Sequence, residues 1–245
     1  LLSQILVSGG LTLEYTGTQA GWTDWKASAD LLLGSLEPGT ASADFRLPAG
    51  CSSAATISPG QDVNHIMLNG ILSEAGQTFS GKMLALGRVV SNKYLMPTLR
   101  GKYGAYGAGL NCTHEGFTFS VTGIHDLDLA LSVWRGTGDF LRELDMSQKE
   151  LDGIIITALK EEDEYSDAGS GGQRSLSGKS DEDVKRTREE LLSTTVADLR
   201  SYADLLDQLT AQNHLFAVVS RETAEAASFP FAYYADADSL QVTPR

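Results

Sequence analysis

Apolar and polar residues alternate along Leu11-Thr12-Leu13-Glu14-Tyr15, the two-residue period of a strand, and Gly17 and Gly21 bracket a turn after it. Thr23 stands where a helix cap belongs. From Trp25 through Ala29, Leu32, Leu33 and Leu36 the apolar positions recur every three or four residues, which predicts a helix with one buried face. Glu37-Pro38-Gly39-Thr40 ends it. Residues 38–59 are rich in Ala, Ser, Gly and Pro, with Phe45 and Leu47 the only strong apolar anchors before Ile57, so a domain junction is placed near residues 37–44. Val63 to Leu72 reads as a buried strand. Met83, Leu86, Val90, Tyr94, Leu95 and Leu99 then trace a helical stripe interrupted by Pro97, whose missing amide should kink the last turn before Arg100.

Two strands follow, Tyr106 to Thr113 and Phe117 to Ile124, joined at His114-Glu115-Gly116, with Phe117, Phe119 and Val121 on one face. Asp126 and Asp128 favour the start of a helix from Leu127 to Leu144, with Leu127, Leu131, Trp134 and Leu141 inside. Ser147-Gln148-Lys149-Glu150 is a capping box that opens a helix through Ile154, Ile155 and Leu159, and this ends in the acidic run Glu161 to Glu164. A Gly- and Ser-rich loop over residues 165–179 comes next. Ser180-Asp181-Glu182-Asp183 and Thr195-Val196-Ala197-Asp198 repeat the capping signature, which predicts two more helices, the second carrying Val196, Leu199, Tyr202, Leu206 and Leu209. Leu215 to Val219 is a closing strand, and the tail from Phe229 reads as irregular. The order predicts an α+β fold, helices packed on one face of a mixed or mostly antiparallel sheet, because the hairpin at residues 106–124 has no crossover helix.

Charge and composition narrow the function classes. Of 245 residues, 42% are apolar and 21% charged, and no apolar run approaches the roughly 20 residues of a membrane span. A net charge of -13, with the basic residues scattered among more numerous acids, argues against a nucleic-acid partner. Cys51 and Cys112 are too few for a disulfide framework and read as buried thiols. The opening Leu1-Leu2-Ser3-Gln4-Ile5 has neither an initiator Met nor a charged-then-apolar leader, so the chain reads as a piece of a longer polypeptide, with a cytoplasmic setting the simpler expectation.

The chemistry concentrates in Arg100-Gly101-Lys102-Tyr103-Gly104-Ala105-Tyr106-Gly107, a cation and a phenol six positions apart across a glycine-broken joint. Arg carries a permanent charge and several donors, and a Tyr hydroxyl donates to a carbonyl, so the pair suits positioning a peptide and stabilising its oxyanion, while Gly104 and Gly107 admit a substrate backbone. The plainer alternative is that Arg100 complements a helix C-terminus and Tyr106 is a half-buried strand residue. Cys112, His114 and Glu115 at the hairpin tip offer two converging metal ligands but no third. His125-Asp126 lacks the Gly-x-Ser-x-Gly elbow of a hydrolase and reads as a helix cap. Glu161 to Glu164 reads as a solvated face.

Tyr94-Leu95-x-x-x-Leu99-Arg100-x-Lys102-x-Gly104-Ala105-Tyr106-Gly107, the strand pair, Gly136-Thr137-Gly138-Asp139-Phe140-Leu141 and the Asp181 to Ser193 stretch, taken together, resemble the C-terminal domain of pitrilysin- and insulysin-type zinc metallopeptidases, in the presequence protease branch. The resemblance covers about residues 45–220. It implies a half-chamber of homologous α+β domains, with residues 1–40 the end of the preceding domain and 41–245 the final one. It further implies zinc held by a His-x-x-Glu-His motif in an N-terminal half of the same polypeptide; none of His65, His114, His125 or His214 begins that motif, so no zinc ligand is expected here. By motif position Arg100 and Tyr106 would reach an unfolded peptide substrate across the chamber, with Gly104 and Gly107 beside them, and this chain alone would be inactive. The alternative is a non-catalytic structural or processing subunit of the same fold.

Overall fold

The computed structural model describes residues 7–39, 52–58, 63–164, 180–236 and 242–244. The expected loop at 165–179, Cys51 and most of the junction near 37–44 therefore lie outside the described residues. The chain forms two compact units, residues 1–49 with 160–184, and residues 50–159 with 185–245.

In the first unit helix α1 (Gln19–Gly34) is capped by Thr18, whose side chain accepts the Gly21 amide, and not by Thr23. Thr18 sits three residues ahead of an unpaired first-turn amide, the geometry a cap requires, so the helix absorbs the expected turn at Gly21. Residues 11–15 form no strand. Their alternation lacks a neighbouring ladder, and the Tyr15 ring packs instead against Trp22 and Trp25, with centroids 5.6 and 5.3 Å away. The expected buried stripe is also missing. Ala29 is the one buried residue of the helix, whereas Leu31 and Leu32 are exposed.

The second unit is built on seven strands: β1 (Ala54–Ile57), β2 (His65–Ile71), β3 (Gly107–Cys112), β4 (Gly116–Thr122), β5 (His214–Val219), β6 (Tyr233–Asp236) and β7 (Val242–Pro244). They lie in the order β3-β4-β2-β5-β1-β6-β7. β1 runs parallel to both of its neighbours, and the other pairings are antiparallel, so the sheet is mixed and mostly antiparallel. The expected closing strand is in fact interior, wedged between β2 and β1, and the tail that reads as irregular supplies β6 and β7. Burial alternates along the strands. Ile66 and Leu68 point inward with Phe117, Phe119 and Val121, as the two-residue spacing predicts, while Met67 is 43% and Val218 37% exposed. β2 is thus covered on one face only, and the expectation of a wholly buried strand at 63–72 is corrected by a sheet that carries its helices on a single side.

Helix α2 (Lys82–Val90) packs Met83, Leu86, Val89 and Val90 into that side. The helix expected over 127–144 is two, α3 (Leu127–Arg135) and α4 (Thr137–Arg142), broken at Gly136. The Tyr94 hydroxyl donates to the Val133 carbonyl at 2.9 Å, and a side chain at Gly136 would meet that hydroxyl at 2.7 Å. A side chain at position 136 would therefore collide with a residue about forty positions upstream, which requires glycine at the break. Asp126 caps α3 by accepting the Leu129 amide at 2.8 Å. Helices α5 (Gln148–Glu164) and α6 (Asp181–Leu192) open at the predicted boxes, where Ser147 pairs with Glu150 and Ser180 with Asp183. The last predicted helix is divided at Tyr202 into α7 (Val196–Ser201) and α8 (Ala203–Ala211), where the Tyr202 amide tightens onto the Leu199 carbonyl at 3.2 Å. Short helix α9 (Arg221–Ala226) follows β5.

The box at Thr195 opens α7 and also anchors it to α2: Asp198 closes the box and accepts Lys82 Nζ at 2.7 Å. Desolvation pushes the Asp198 pKa up, but the hydrogen bonds from Lys82 and Thr195 outweigh it and hold the carboxyl below the ordinary aspartate value. A depressed folded pKa means stability present above the unfolded value and lost as pH falls through the folded one. Asp198→Asn is expected to flatten this acid limb of the stability curve, and Thr195→Ala to lower stability by about 1 kcal/mol, both read by urea unfolding between neutral and acid pH. An unchanged acid limb in Asp198→Asn would remove the linkage.

Candidate functional site

The helical stripe that begins in α2 runs on through Pro97. It continues as a π-helical segment, Ser91–Lys102, with Pro97 inside it and Leu95 and Leu99 buried. Proline supplies no amide to a helical ladder, and a wider turn is one way to carry the chain past it; π-helices are mostly single turns and concentrate at functional sites. Here the wide turns run for twelve residues and end on Arg100 and Lys102.

The exit is closed by main-chain bonds. The Gly104 amide donates to the Arg100 carbonyl at 3.1 Å and the buried Ala105 amide to the Leu99 carbonyl at 3.0 Å. Gly104 has φ +74°, a left-handed value that glycine adopts without steric cost and that reverses the chain at a helix C-terminus. Tyr106 then donates its amide to the Thr122 carbonyl at 2.8 Å and leads into β3 at Gly107. Arg100 and Tyr106 are therefore fixed at their main chains on the two sides of one closed turn.

The polar ends of their side chains reach solvent. Arg100 is exposed and Tyr106 is 67% exposed, so the half-buried reading of Tyr106 is corrected. Among the described residues neither side chain makes a hydrogen bond or ion pair, and Lys102 and the exposed Tyr103 beside them make none either. In a chain of net charge -13, two unpaired cations at one helix end form a local basic spot, favoured there by the helix dipole.

Gly107 also begins the open face of the sheet. In register across the strands it is followed by Thr122, His65 and Val218, and the next row runs Gly109, Ser120, Met67, Phe216. Two glycines at the β3 end thus leave the backbone bare beside Thr122 and Ser120, and an apolar strip of Met67, Phe216 and Val218 lies beyond them on β2 and β5. Sequence reasoning missed this strip, because β2 reads as wholly buried. It missed equally Gly123 and Asn64, which sit beneath Tyr106 and carry no local signal.

The other candidates do not assemble. Cys112 is buried, and burial pushes its thiol pKa up, away from the thiolate that binds metal. His114 instead lies against Phe79 with ring centroids 4.2 Å apart. No group of three His, Cys, Asp or Glu able to hold a metal occurs among the described residues. His125 lies 3.4 Å from the Asn64 amide and Asp126 is a helix cap, so the pair forms no hydrolytic array. No helix of the described residues is long and apolar enough to cross a membrane.

A mixed sheet with helices over one face makes this an α+β domain. The crystal structure of pitrilysin has the same fold, with TM-score 0.53 at 11% identity over 93% of this chain and 27% of that one. The peptidase M16 inactive domain from Pseudomonas fluorescens aligns at TM-score 0.50 and 17% identity, over 87% of this chain and 54% of its own. The PreP C-terminal domain profile matches residues 55–222, and the chain belongs to that family. Presequence protease 1, chloroplastic/mitochondrial, of Arabidopsis thaliana is 32% identical over 234 residues, which is 91% of this chain and 21% of the plant protein. The chain thus spans about a fifth of that relative's length. The resemblance read from residues 94–141 and the mixed α+β fold are both borne out.

Proposed function

We propose that this chain is the substrate-binding, non-zinc portion of a zinc-dependent endopeptidase that degrades unfolded peptides, and that Arg100 and Tyr106 touch the peptide. The observation that carries the reading is the unpaired, exposed state of both side chains on a turn whose main chain is fully tied down. Donors that no neighbour among the described residues occupies can turn to a peptide carbonyl and the oxyanion that forms from it. Gly104 and Gly107 give the peptide backbone access, and the strip Met67, Phe216, Val218 offers apolar surface to an unfolded chain. The zinc and its general base belong, on this reading, to an N-terminal half of the same polypeptide, with residues 1–40 the end of the domain before this one and 41–245 the last domain. The family name and the plant presequence protease support this assignment.

The test is a peptidase assay on the 245-residue chain alone. It is expected to cleave no unfolded peptide. Cleavage abolished by a chelator would overturn the reading, because it would require a complete metal site within these residues.

A further inference from the structure

Beneath the Tyr106 ring lies a backbone seat that local sequence does not announce. Gly123 has φ +79°, and a Cβ built on it would stand 2.8 Å from Cγ and Cδ2 of Tyr106, closer than any real side chain sits. The ring therefore rests directly on the Gly123 backbone. Two separate constraints require glycine there, the left-handed conformation and the space the ring fills.

Gly123 is itself clamped by Asn64, a polar residue 1% exposed. The Asn64 carbonyl accepts the Gly123 amide at 2.8 Å, and its side-chain amide donates to the Ile124 carbonyl at 3.0 Å and to Thr223 Oγ1 at 3.1 Å. Its Oδ1 accepts the Ser220 amide at 3.1 Å. One buried side chain thus joins the start of β2, the exit of β4 and the entry of α9, and every one of these bonds has a geometric partner. The Thr122 carbonyl, next to Gly123, holds the Tyr106 amide. Main chain and ring of Tyr106 are thus held by two adjacent residues, Thr122 and Gly123.

We propose that Gly123, clamped by Asn64, is a positioning residue that sets the direction of the Tyr106 hydroxyl toward the peptide. The inference rests on the Tyr106 reading above and goes beyond it by naming what orients that side chain. A methyl at position 123 displaces the ring and also strains the left-handed backbone at the exit of β4, so only the part of the loss that depends on the Tyr106 hydroxyl reports the ring. A small displacement of a catalytic group is enough to slow turnover.

The test is steady-state peptidase kinetics of the full polypeptide carrying Gly123→Ala, Tyr106→Phe and both. Gly123→Ala is expected to lower kcat about tenfold with KM nearly unchanged, and to change it less than about twofold when the hydroxyl is already absent, because residues acting as a unit are not additive. A Gly123→Ala loss that persists in full in the Tyr106→Phe background overturns the positioning role and leaves the Tyr106 reading intact. Unchanged turnover in Tyr106→Phe removes both. Should Gly123→Ala fail to fold, proton NMR of the unsubstituted chain decides: the Gly123 α-proton facing the ring is expected upfield of the usual glycine range and back within it in Tyr106→Leu. A usual shift in the unsubstituted chain overturns the inference.

Discussion

Replacing Arg100 with Ala in the full polypeptide is expected to lower kcat/KM for an unfolded peptide about 10²–10³-fold, and Tyr106→Phe about 10²-fold, the losses seen when one preorganised oxyanion donor is removed. The size follows from the environment of the pair. Neither side chain spends its donors on a neighbour among the described residues, so both exchange water for the peptide when one arrives. For the same reason the fold should barely notice their loss, and both variants are expected to melt within a degree or two of the parent, since exposed substitutions away from special features fall within about 0.5 kcal/mol. Arg100→Lys separates charge from geometry: a lysine keeps the cation and loses the planar fork, and partial rescue is the expected outcome. Parental kinetics in both Arg100→Ala and Tyr106→Phe would refute the assignment.

The largest expected effect on stability lies at Trp134. Its ring is fully buried and sits against Phe119, with centroids 6.0 Å apart, at the join between α3 and the inner face of the sheet. Trp134→Ala is expected to cost about 3–5 kcal/mol through lost transfer energy and the cavity left behind. In a domain of this size that lowers the melting temperature by about 10 °C, measurable by calorimetry. Among the described residues the indole Nε1 has no hydrogen-bond partner, and so its burial carries a cost of its own. Trp134→Phe, which deletes that donor together with one ring, is therefore expected to lose much less than Trp134→Ala. Equal losses in the two variants would show that the cavity does not dominate.

Features written in residues close along the chain were legible in the sequence. The capping boxes at Ser147, Ser180 and Thr195 form as spaced, because each is a bond between residues three apart. The hairpin of β3 and β4 and its inner face of Phe117, Phe119 and Val121 also follow from local alternation. What failed was settled at a distance. Alternation at 11–15 met no partner strand, and the short β6 was overlooked because it is defined by parallel pairing with β1, far upstream. The break at Gly136 lies against the Tyr94 hydroxyl, a contact from a distant segment that nothing at 127–144 announces beyond the glycine itself. The candidate site divides in the same way. Arg100, Gly104, Tyr106 and Gly107 stand out as a contiguous motif, whereas Gly123 and Asn64 join them only through contacts between segments that the fold brings together.

The order of the strands bears on where the domain can be cut. The family match stops at residue 222, immediately after β5, yet β1 pairs on its far side with β6, at residues 233–236. A protein ended at the family boundary would keep the whole Arg100 to Gly107 turn and lose the cover of β1, leaving that strand's amides and carbonyls open along one side. Such an edge recruits other strands, its own copies included. The practical C-terminus of this domain for expression and crystallisation therefore lies beyond β7 at residue 244, some twenty residues past the point where the family pattern fades.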